Sequence, residues 1–220
     1  MTNKSIPKII EILKEEYKRF DEPIVSQIAY DVRAASPFKV LISTIISLRT
    51  KDDVTKAASF KLFAVADTAD ELMKLPAEEI RSLIFPAGFY KTKAQTIIDV
   101  SRTIAEKYDG VVPDEIDELL KLKGVGRKTA NLVVTLGYGK LGICVDTHVH
   151  RISNRFGYVS TKTPEETEFA LRKKLPKKFW IVYNDLLVSY GQNLCKPISP
   201  FCSQCKISNY CERIGVIKSR

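Results

Sequence analysis

Residues 119–130 of this chain read LLKLKGVGRKTA, and this stretch decides the fold. Its leucines predict one helix, Gly124 and Gly126 predict a tight turn, and a second helix is expected to begin near Arg127. The N–H groups at the start of that second helix lie at its positive end, where a phosphate can bind. A plain corner between helices also uses glycine, but Arg127 and Lys128 directly behind the turn favour a phosphate contact. Such a contact reads the backbone of a nucleic acid and not its sequence.

Lys128 has two interpretations. As a solvated charge it is slightly unfavourable, because a cation on the first turn of a helix opposes the helix dipole. In a cleft the same field favours the neutral amine, which is the form that attacks an electrophilic carbon. Asp146 follows later, immediately before another helical pattern. Its spacing alone favours a helix N-cap, and its functional role would be to assist proton transfer or to stabilise positive charge on a reacting sugar.

Helical periodicity extends over most of the rest of the sequence. The apolar residues of positions 6–20 recur every three or four residues and predict an amphipathic helix that ends near Phe20. Residues 38–48 leave almost no polar side, which predicts a helix enclosed by others. Thr163 is expected to cap a helix that runs to about Leu175, with Glu166 reaching back to the N–H of the cap. Further helices are predicted at 54–65, 69–75, 76–84, 92–108 and 179–190. Strand alternation and internal repeats are not evident, so a nearly all-α architecture is expected.

Composition and charge restrict the class of protein. The 220 residues, 45% hydrophobic and 28% charged, correspond to one large or two small globular domains. Lys and Arg number 35 against 26 acidic residues, a net charge of +9 that favours a polyanionic partner, nucleic acid first. The longest apolar stretch, 40–48, is far shorter than the about 20 residues that cross a bilayer. The amino-terminal residues lack a signal-peptide pattern, so an intracellular protein is expected.

Four cysteines form a CX6CX2CX5C array near the end of the sequence: Cys195, Cys202, Cys205 and Cys211. In a reducing compartment such density indicates a metal centre and not disulfides. A single CX2C between wider gaps suits an iron–sulfur cluster better than zinc, although the spacing leaves zinc open. The fifth cysteine, Cys144, is expected to be a small buried side chain.

Three motifs in this order, residues 122–131 (LKGVGRKTAN), 145–151 (VDTHVHR) and the cysteine array, resemble the endonuclease III branch of the helix-hairpin-helix DNA glycosylases. The resemblance covers nearly the whole chain. It implies an all-α fold of two helical lobes flanking a DNA-binding cleft. One lobe would be a six-helix barrel with the helix-hairpin-helix at 30–140, and the other an iron–sulfur cluster domain made of 1–29 and 141–220. It also implies that the four cysteines hold a [4Fe-4S] cluster.

The same resemblance implies a reaction. Lys128 matches the catalytic lysine of the family, which attacks C1′ of the deoxyribose of a base swung out of the stack, displaces the base and forms a Schiff base. Asp146 matches the catalytic aspartate, and β-elimination would then cut the strand 3′ to the abasic site. The implied partner is duplex DNA containing damaged bases or abasic sites, without any membrane. A monomer in the cytoplasm or nucleoid is expected.

Further positions are similar to the family at its DNA interface. Phe89, in the segment GFYKTKA of residues 88–94, matches an apolar wedge that enters the duplex. Arg49 stands where the family has a glutamine that fills the space of the extruded base. Asp52 matches a pocket carboxylate, and His148 matches a histidine beside the catalytic aspartate. The hairpin is expected to contact the DNA backbone through Lys123, Gly124, Gly126 and Arg127.

The leading hypothesis is a bifunctional glycosylase and abasic-site lyase that removes oxidised pyrimidines such as thymine glycol. Arg49 keeps open a mismatch-directed thymine or uracil glycosylase, although such enzymes usually lack the lysine that stands here at position 128. A lyase without appreciable glycosylase activity also fits, since elimination at a preformed abasic site needs only the amine. A third class is a non-catalytic DNA-binding module with a structural zinc.

Overall fold

The computed structural model describes residues 3–20, 23–31 and 36–220, without the side chains of residues 28–31. These residues form helices and loops with no strand among them, which confirms the all-α prediction. Within the same residues, no helix is both long and apolar enough to cross a membrane. The helices are α1 Ile6–Tyr17, α2 Ile24–Asp31, α3 Pro37–Ser47, α4 Asp52–Val65, α5 Ala69–Leu72, α6 Ala77–Ile84, α7 Tyr90–Lys107, α8 Ile116–Leu119, α9 Arg127–Leu132, α10 Thr147–Arg155, α11 Pro164–Lys174 and α12 Trp180–Asn193.

The chain divides into two compact units. The first unit combines Met1–Pro23 with Leu141–Arg220, and the second unit is Ile24–Lys140. The sequence predicts a boundary at residue 30, whereas α2 as a whole lies in the second unit.

In the first unit, α1 packs through one stripe of apolar side chains. Ile6, Ile9, Ile10 and Leu13 are at most 1% exposed and join a core formed with α10 and α12. Burial at this spacing is what stabilises a short amphipathic helix, since helices of this length are marginal by themselves. The helix ends at Tyr17, earlier than predicted, and the chain continues in turns as far as Phe20.

In the second unit, α3 is the enclosed helix that its sequence predicts. It is buried from Phe38 to Ile46 apart from Lys39 and packs against α2, α4, α7 and α9. The polar side chains in this apolar run are satisfied within the helix: Thr44 Oγ1 donates to Val40 O at 2.7 Å. A buried hydroxyl that bonds the preceding turn avoids the cost of an unpaired polar group.

The predicted cap of α11 is confirmed in one of its two hydrogen bonds. Glu166 N donates to Thr163 Oγ1 at 3.1 Å, which confirms Thr163 as the cap of α11. The carboxylate of Glu166, however, accepts from Lys162 N at 2.8 Å and not from the N–H of Thr163, so that part of the prediction was wrong. A complete capping box forms instead at Thr68 with Glu71, where α5 ends at Leu72 and not near residue 75.

Candidate active site

The glycine hairpin of the second unit lies between α8 and α9. Gly124 has a φ of +77°, and a Cβ there would lie 2.8 Å from Thr96 Cγ2, so both conformation and space disfavour a side chain. Gly126 precedes α9 in extended conformation, and a Cβ there would meet nothing within 4 Å. Val125 and Leu122 are buried and anchor the turn. The two glycines therefore play different roles, and only Gly124 is required by the fold.

Lys128 is the second residue of α9, and its side chain is half-buried, like that of Arg127. The next turn is buried, which holds the start of the helix firmly. A π-helical turn, Val133–Gly137, continues α9, and a Cβ on Gly137 would approach Pro37 Cα to 2.9 Å. Such turns are rare and occur often at functional sites. Nothing in the sequence pattern predicted this one.

Lys123 forms an ion pair across the hairpin. Its Nζ lies 2.7 Å from Asp99 Oδ2 of α7, and the lysine side chain is 73% exposed. The hydrogen bond from Lys123, followed by that from Gln95, lowers the pKa of the Asp99 carboxyl. Exposed ion pairs contribute little to the free energy of folding. Lys123 can therefore leave the Asp99 carboxylate and bind a different anion at little cost in stability.

Arg49 and Phe89 are brought together by two loops of the second unit. Arg49 Cζ lies 5.4 Å from the centre of the Phe89 ring, and both side chains are exposed. Both residues also have left-handed backbone conformations, with φ of 54° and 57°. Such conformations are unusual for residues other than glycine and are maintained only by surrounding contacts. Asp52, the first residue of α4, lies near these loops in sequence and is also exposed.

Sequence reasoning missed Lys93. Its ammonium group is buried beneath the Arg49 loop and donates to Ile46 O, Leu48 O and Thr50 Oγ1 at 2.6, 2.6 and 2.8 Å. Burial lowers the pKa of Lys93 to about 8. A signal was present in the sequence, because Lys93 falls on the apolar stripe of α7 that continues through Ala94 and Ile97. A lysine on such a stripe must find acceptors inside the protein.

Asp146 belongs to the first unit, where it caps α10. Its Oδ1 accepts from His148 N and Val149 N, both at 2.9 Å, which confirms the N-cap interpretation. Both bonds end on the same oxygen, so the cap uses one half of the carboxylate. The carboxylate is half-buried and has a fixed orientation. An N-cap and a catalytic carboxylate are compatible in this geometry.

His148 is fixed by contacts on α10 and α12. Arg151 Nη2 lies 3.1 Å from His148 Nδ1 and also donates to Cys195 O at 2.9 Å. A guanidinium only donates, so Nδ1 accepts and the proton of the neutral ring lies on Nε2. A Cβ on Gly191 would clash with the His148 ring, so glycine at that position allows the two helices to approach.

The four predicted cysteines line one cavity of the first unit. All four thiols are unbridged, and the residues beside them donate to three of the sulfur atoms. Tyr190 Oη lies 3.2 Å from Cys205 Sγ, Arg155 Nη1 lies 3.4 Å from Cys195 Sγ, and Arg213 N lies 3.4 Å from Cys211 Sγ. Burial raises the pKa of the Cys205 and Cys211 thiols.

The cysteine thiols that line this cavity are the type of side chain that binds metal centres as thiolate. Hydrogen-bond donors directed at sulfur orient and tune thiolate ligands in metal centres, iron–sulfur clusters among them. In the described part of the chain, no three cysteine, histidine or acidic side chains converge on a position for one ion.

Helix α10 joins two parts of the first unit. Asp146 caps its start, and Arg155 at its end donates to Lys196 O and Pro197 O at 2.7 and 2.6 Å as well as to Cys195 Sγ. Arg155 is 7% exposed. The residues directly after Cys195 are therefore attached to the helix whose start Asp146 caps.

Comparison with known proteins gives consistent matches. Over residues 42–177 the chain matches the family described as HhH-GPD superfamily base excision DNA repair protein. It is 48% identical to endonuclease III of Thermotoga maritima over 204 residues, which cover 93% of this chain and 92% of that protein. Its structure is similar to that of a non-covalent endonuclease III–DNA complex, with a TM-score of 0.85, 31% identity and coverage of 97% and 96% of the two chains. A trapped covalent endonuclease III–DNA intermediate has a TM-score of 0.77 at 36% identity, with coverage of 81% and 84%.

Proposed function

Because this chain belongs to the endonuclease III family of the HhH-GPD base excision DNA repair proteins, we propose that it excises oxidised pyrimidines such as thymine glycol from duplex DNA. The protein is a bifunctional DNA glycosylase and abasic-site lyase. This membership argues against the non-catalytic module with a structural zinc. The observation that carries the proposal is the position of Lys128, half-buried on the first turn of α9 directly behind the glycine hairpin.

Lys128 supplies the nucleophile. The lone pair of its Nζ forms a bond to C1′ of the extruded nucleotide, and the glycosidic bond breaks with its electron pair on the departing base. Ring opening gives a Schiff base between Lys128 and the sugar. Loss of a proton from C2′ then expels the 3′ phosphate and cuts the strand. The place of Lys128 on the first turn of α9, directly behind the glycine hairpin, supports this role.

Asp146 supplies the carboxylate of the reaction. It accepts the proton of the attacking amine and stabilises the positive charge that develops on the sugar as the base leaves. Its orientation is supported by the two hydrogen bonds at the start of α10. His148 lies on the first turn of α10, and its contact with Arg151 holds its ring in place beside Asp146 in sequence.

The DNA contacts divide into two sets in the second unit. The hairpin residues Lys123, Gly124, Gly126 and Arg127 contact phosphates, which fix the register of the protein without reading sequence. Phe89 enters the base stack, and Arg49 fills the space that the extruded base leaves. Asp52 supplies a carboxylate to the pocket that receives the base. The cation–π contact between Arg49 and Phe89 supports a joint role for these two side chains.

Arg49 is the observation that favours a second function, a mismatch-directed thymine or uracil glycosylase. Single-turnover base release from matched duplexes containing either thymine glycol or a T·G mismatch separates the two functions. We expect faster release of thymine glycol. A faster reaction at the mismatch would overturn the assignment of substrate. If the protein cuts a duplex with a preformed abasic site but releases neither thymine glycol nor mismatched thymine, it is a lyase alone.

The four cysteines are proposed to hold a [4Fe-4S] cluster through their sulfur atoms. When bound, such a cluster supplies four iron–thiolate bonds and a redox-active centre. Tyr190, Arg155 and the backbone of Arg213 orient the sulfur atoms by the hydrogen bonds described above. Metal analysis of the purified protein should give four iron atoms per chain with a brown chromophore. Zinc in their place would contradict the proposal.

The substrate sets the expected location and state of assembly. A repair enzyme for chromosomal lesions acts at the DNA of the cytoplasm or nucleoid, and one chain carries every group that the proposed reaction uses. We therefore propose that the protein acts as a monomer. Its positive net charge should make DNA affinity fall steeply with salt, because bound phosphates release counterions.

A further inference from the structure

Lys93 has an environment that filling space does not explain. The residue is 6% exposed, and each of the three N–H donors of its ammonium group has an oxygen acceptor. Two acceptors, Ile46 O and Leu48 O, are carbonyls at the carboxyl end of α3, and the third is the hydroxyl of Thr50. These acceptors lie on both sides of Arg49. Lys93 itself extends from α7, whose N-terminal neighbour is the Phe89 loop.

The two loops are also in direct backbone contact. Gly88 N donates to Thr50 Oγ1 at 3.1 Å, so one hydroxyl is shared between Lys93 and the Phe89 loop. A Cβ on Gly88 would clash with the carbonyl oxygen of Arg49, so the close approach depends on glycine. The left-handed conformations of Arg49 and Phe89 cost energy, and these contacts are what maintain them.

Filling this space with a charged side chain costs more free energy than filling it with an apolar one. Moving an ammonium group out of water carries a large penalty, and an apolar side chain of similar length would avoid it. The lowered pKa of Lys93 reflects that penalty. What lysine adds over an apolar residue is three directed bonds that fix residues 46–50 against the start of α7. Those bonds order the residues next to Arg49 and Phe89, and both of these side chains are exposed.

We propose that Lys93 is a positioning residue that locks the Arg49 loop to the Phe89 loop, so that both side chains enter the duplex as one rigid wedge. This inference rests on the proposed function, in which Phe89 and Arg49 occupy the disrupted stack. Lys93 itself touches neither substrate nor the reacting atoms in this account. It should therefore affect extrusion of the base and not the chemistry of the amine.

The test compares two substrates for the same variants. Lys93→Met removes the three bonds and keeps the length of the side chain, and Lys107→Met removes an exposed charge from the other end of α7 as a matched control. One substrate is a duplex with thymine glycol opposite 2-aminopurine, whose fluorescence reports disruption of the stack. The other is a single-stranded oligonucleotide with a preformed abasic site, which needs no extrusion.

We expect Lys93→Met to slow base release from the duplex by about ten- to a hundred-fold and to suppress the fluorescence change, because misplaced groups lose productive geometry. Borohydride trapping and cleavage of the single-stranded substrate should stay within about two-fold, since those steps use only the amine. Lys107→Met should match the unmodified chain on both substrates. Melting temperatures of all three proteins show whether each is folded at the assay temperature.

Two results would overturn the inference. Unchanged duplex kinetics in folded Lys93→Met would show that the lock is not needed, and equal losses on both substrates would show a merely structural role. If Lys93→Met does not fold, Thr50→Val gives the same test, because it removes only the hydroxyl that Lys93 and Gly88 share. Unchanged duplex kinetics in that variant would also refute the lock. An unmodified chain that cuts neither substrate would refute the proposed function, and this inference with it.

Discussion

At the scale of single residues, Asp146 caps α10 and is proposed to supply the catalytic carboxylate, and a substitution can separate these two roles. Asparagine is as good an N-cap as aspartate, so Asp146→Asn should keep the bonds to His148 N and Val149 N and the fold. It cannot take a proton or balance a positive charge. We expect the single-turnover rate on thymine glycol duplex to fall about 10²- to 10⁴-fold, with DNA affinity retained.

The control for this prediction is Asp146→Ala, which should lose activity and also about 1 kcal/mol of stability with the cap. Gel-shift affinity and urea denaturation of both variants, measured alongside the rate, separate the two tasks. A rate for Asp146→Asn within a few-fold of the unmodified chain would leave Asp146 as a cap alone.

At the scale of elements, the hairpin before α9 contains two glycines that the sequence does not distinguish. Gly124→Ala should destabilise the protein by at least about 1–2 kcal/mol, because it forces an L-residue into a left-handed conformation and adds a contact with Thr96. Gly126→Ala is the matched control and should cost less, about 0.5–1 kcal/mol, because alanine is a poorer N-cap than glycine but the position is extended and open. Urea denaturation measures both, and equal costs would contradict this account of the turn.

The elements also show what a sequence can predict. The start of α9 at Arg127, the enclosed helix α3 and the cap at Asp146 follow from local rules on glycine, apolar periodicity and side-chain oxygens, and all three are confirmed. The bonds of Lys93 depend on a close approach between residues far apart in sequence, which no local pattern encodes. The return bond of Glu166 is local, but the N–H groups of Lys162 and Thr163 compete for one carboxylate, and the sequence pattern does not decide between them.

At the scale of the whole molecule, the buried Lys93 should shape the pH dependence of stability. Its pKa in the native protein is about 8, against an ordinary value near 10.5. Between these values the unfolded chain binds more protons than the native one, so the free energy of unfolding rises with pH in that range. The contribution is absent in Lys93→Met. The difference in stability between the unmodified chain and this variant should therefore shift in favour of the unmodified chain as pH rises from about 7 to about 10.

Urea denaturation of both proteins across this pH range checks the prediction, because the other titrating groups are common to both and cancel in the difference. A difference that stays constant with pH would show that the Lys93 ammonium is not perturbed by burial. A shift in the opposite direction would mean that its three hydrogen bonds outweigh the cost of burial.

The central claim for the molecule is that the amine of Lys128 bonds covalently to DNA. Borohydride reduction during the reaction with an abasic-site duplex tests it most directly, with the trapped protein–DNA species resolved by electrophoresis and the modified residue located by mass spectrometry. We expect an adduct on Lys128 in the unmodified chain and none in Lys128→Gln, while both proteins bind the duplex. An adduct of equal yield in Lys128→Gln, or one located on a different residue of the unmodified chain, would contradict it.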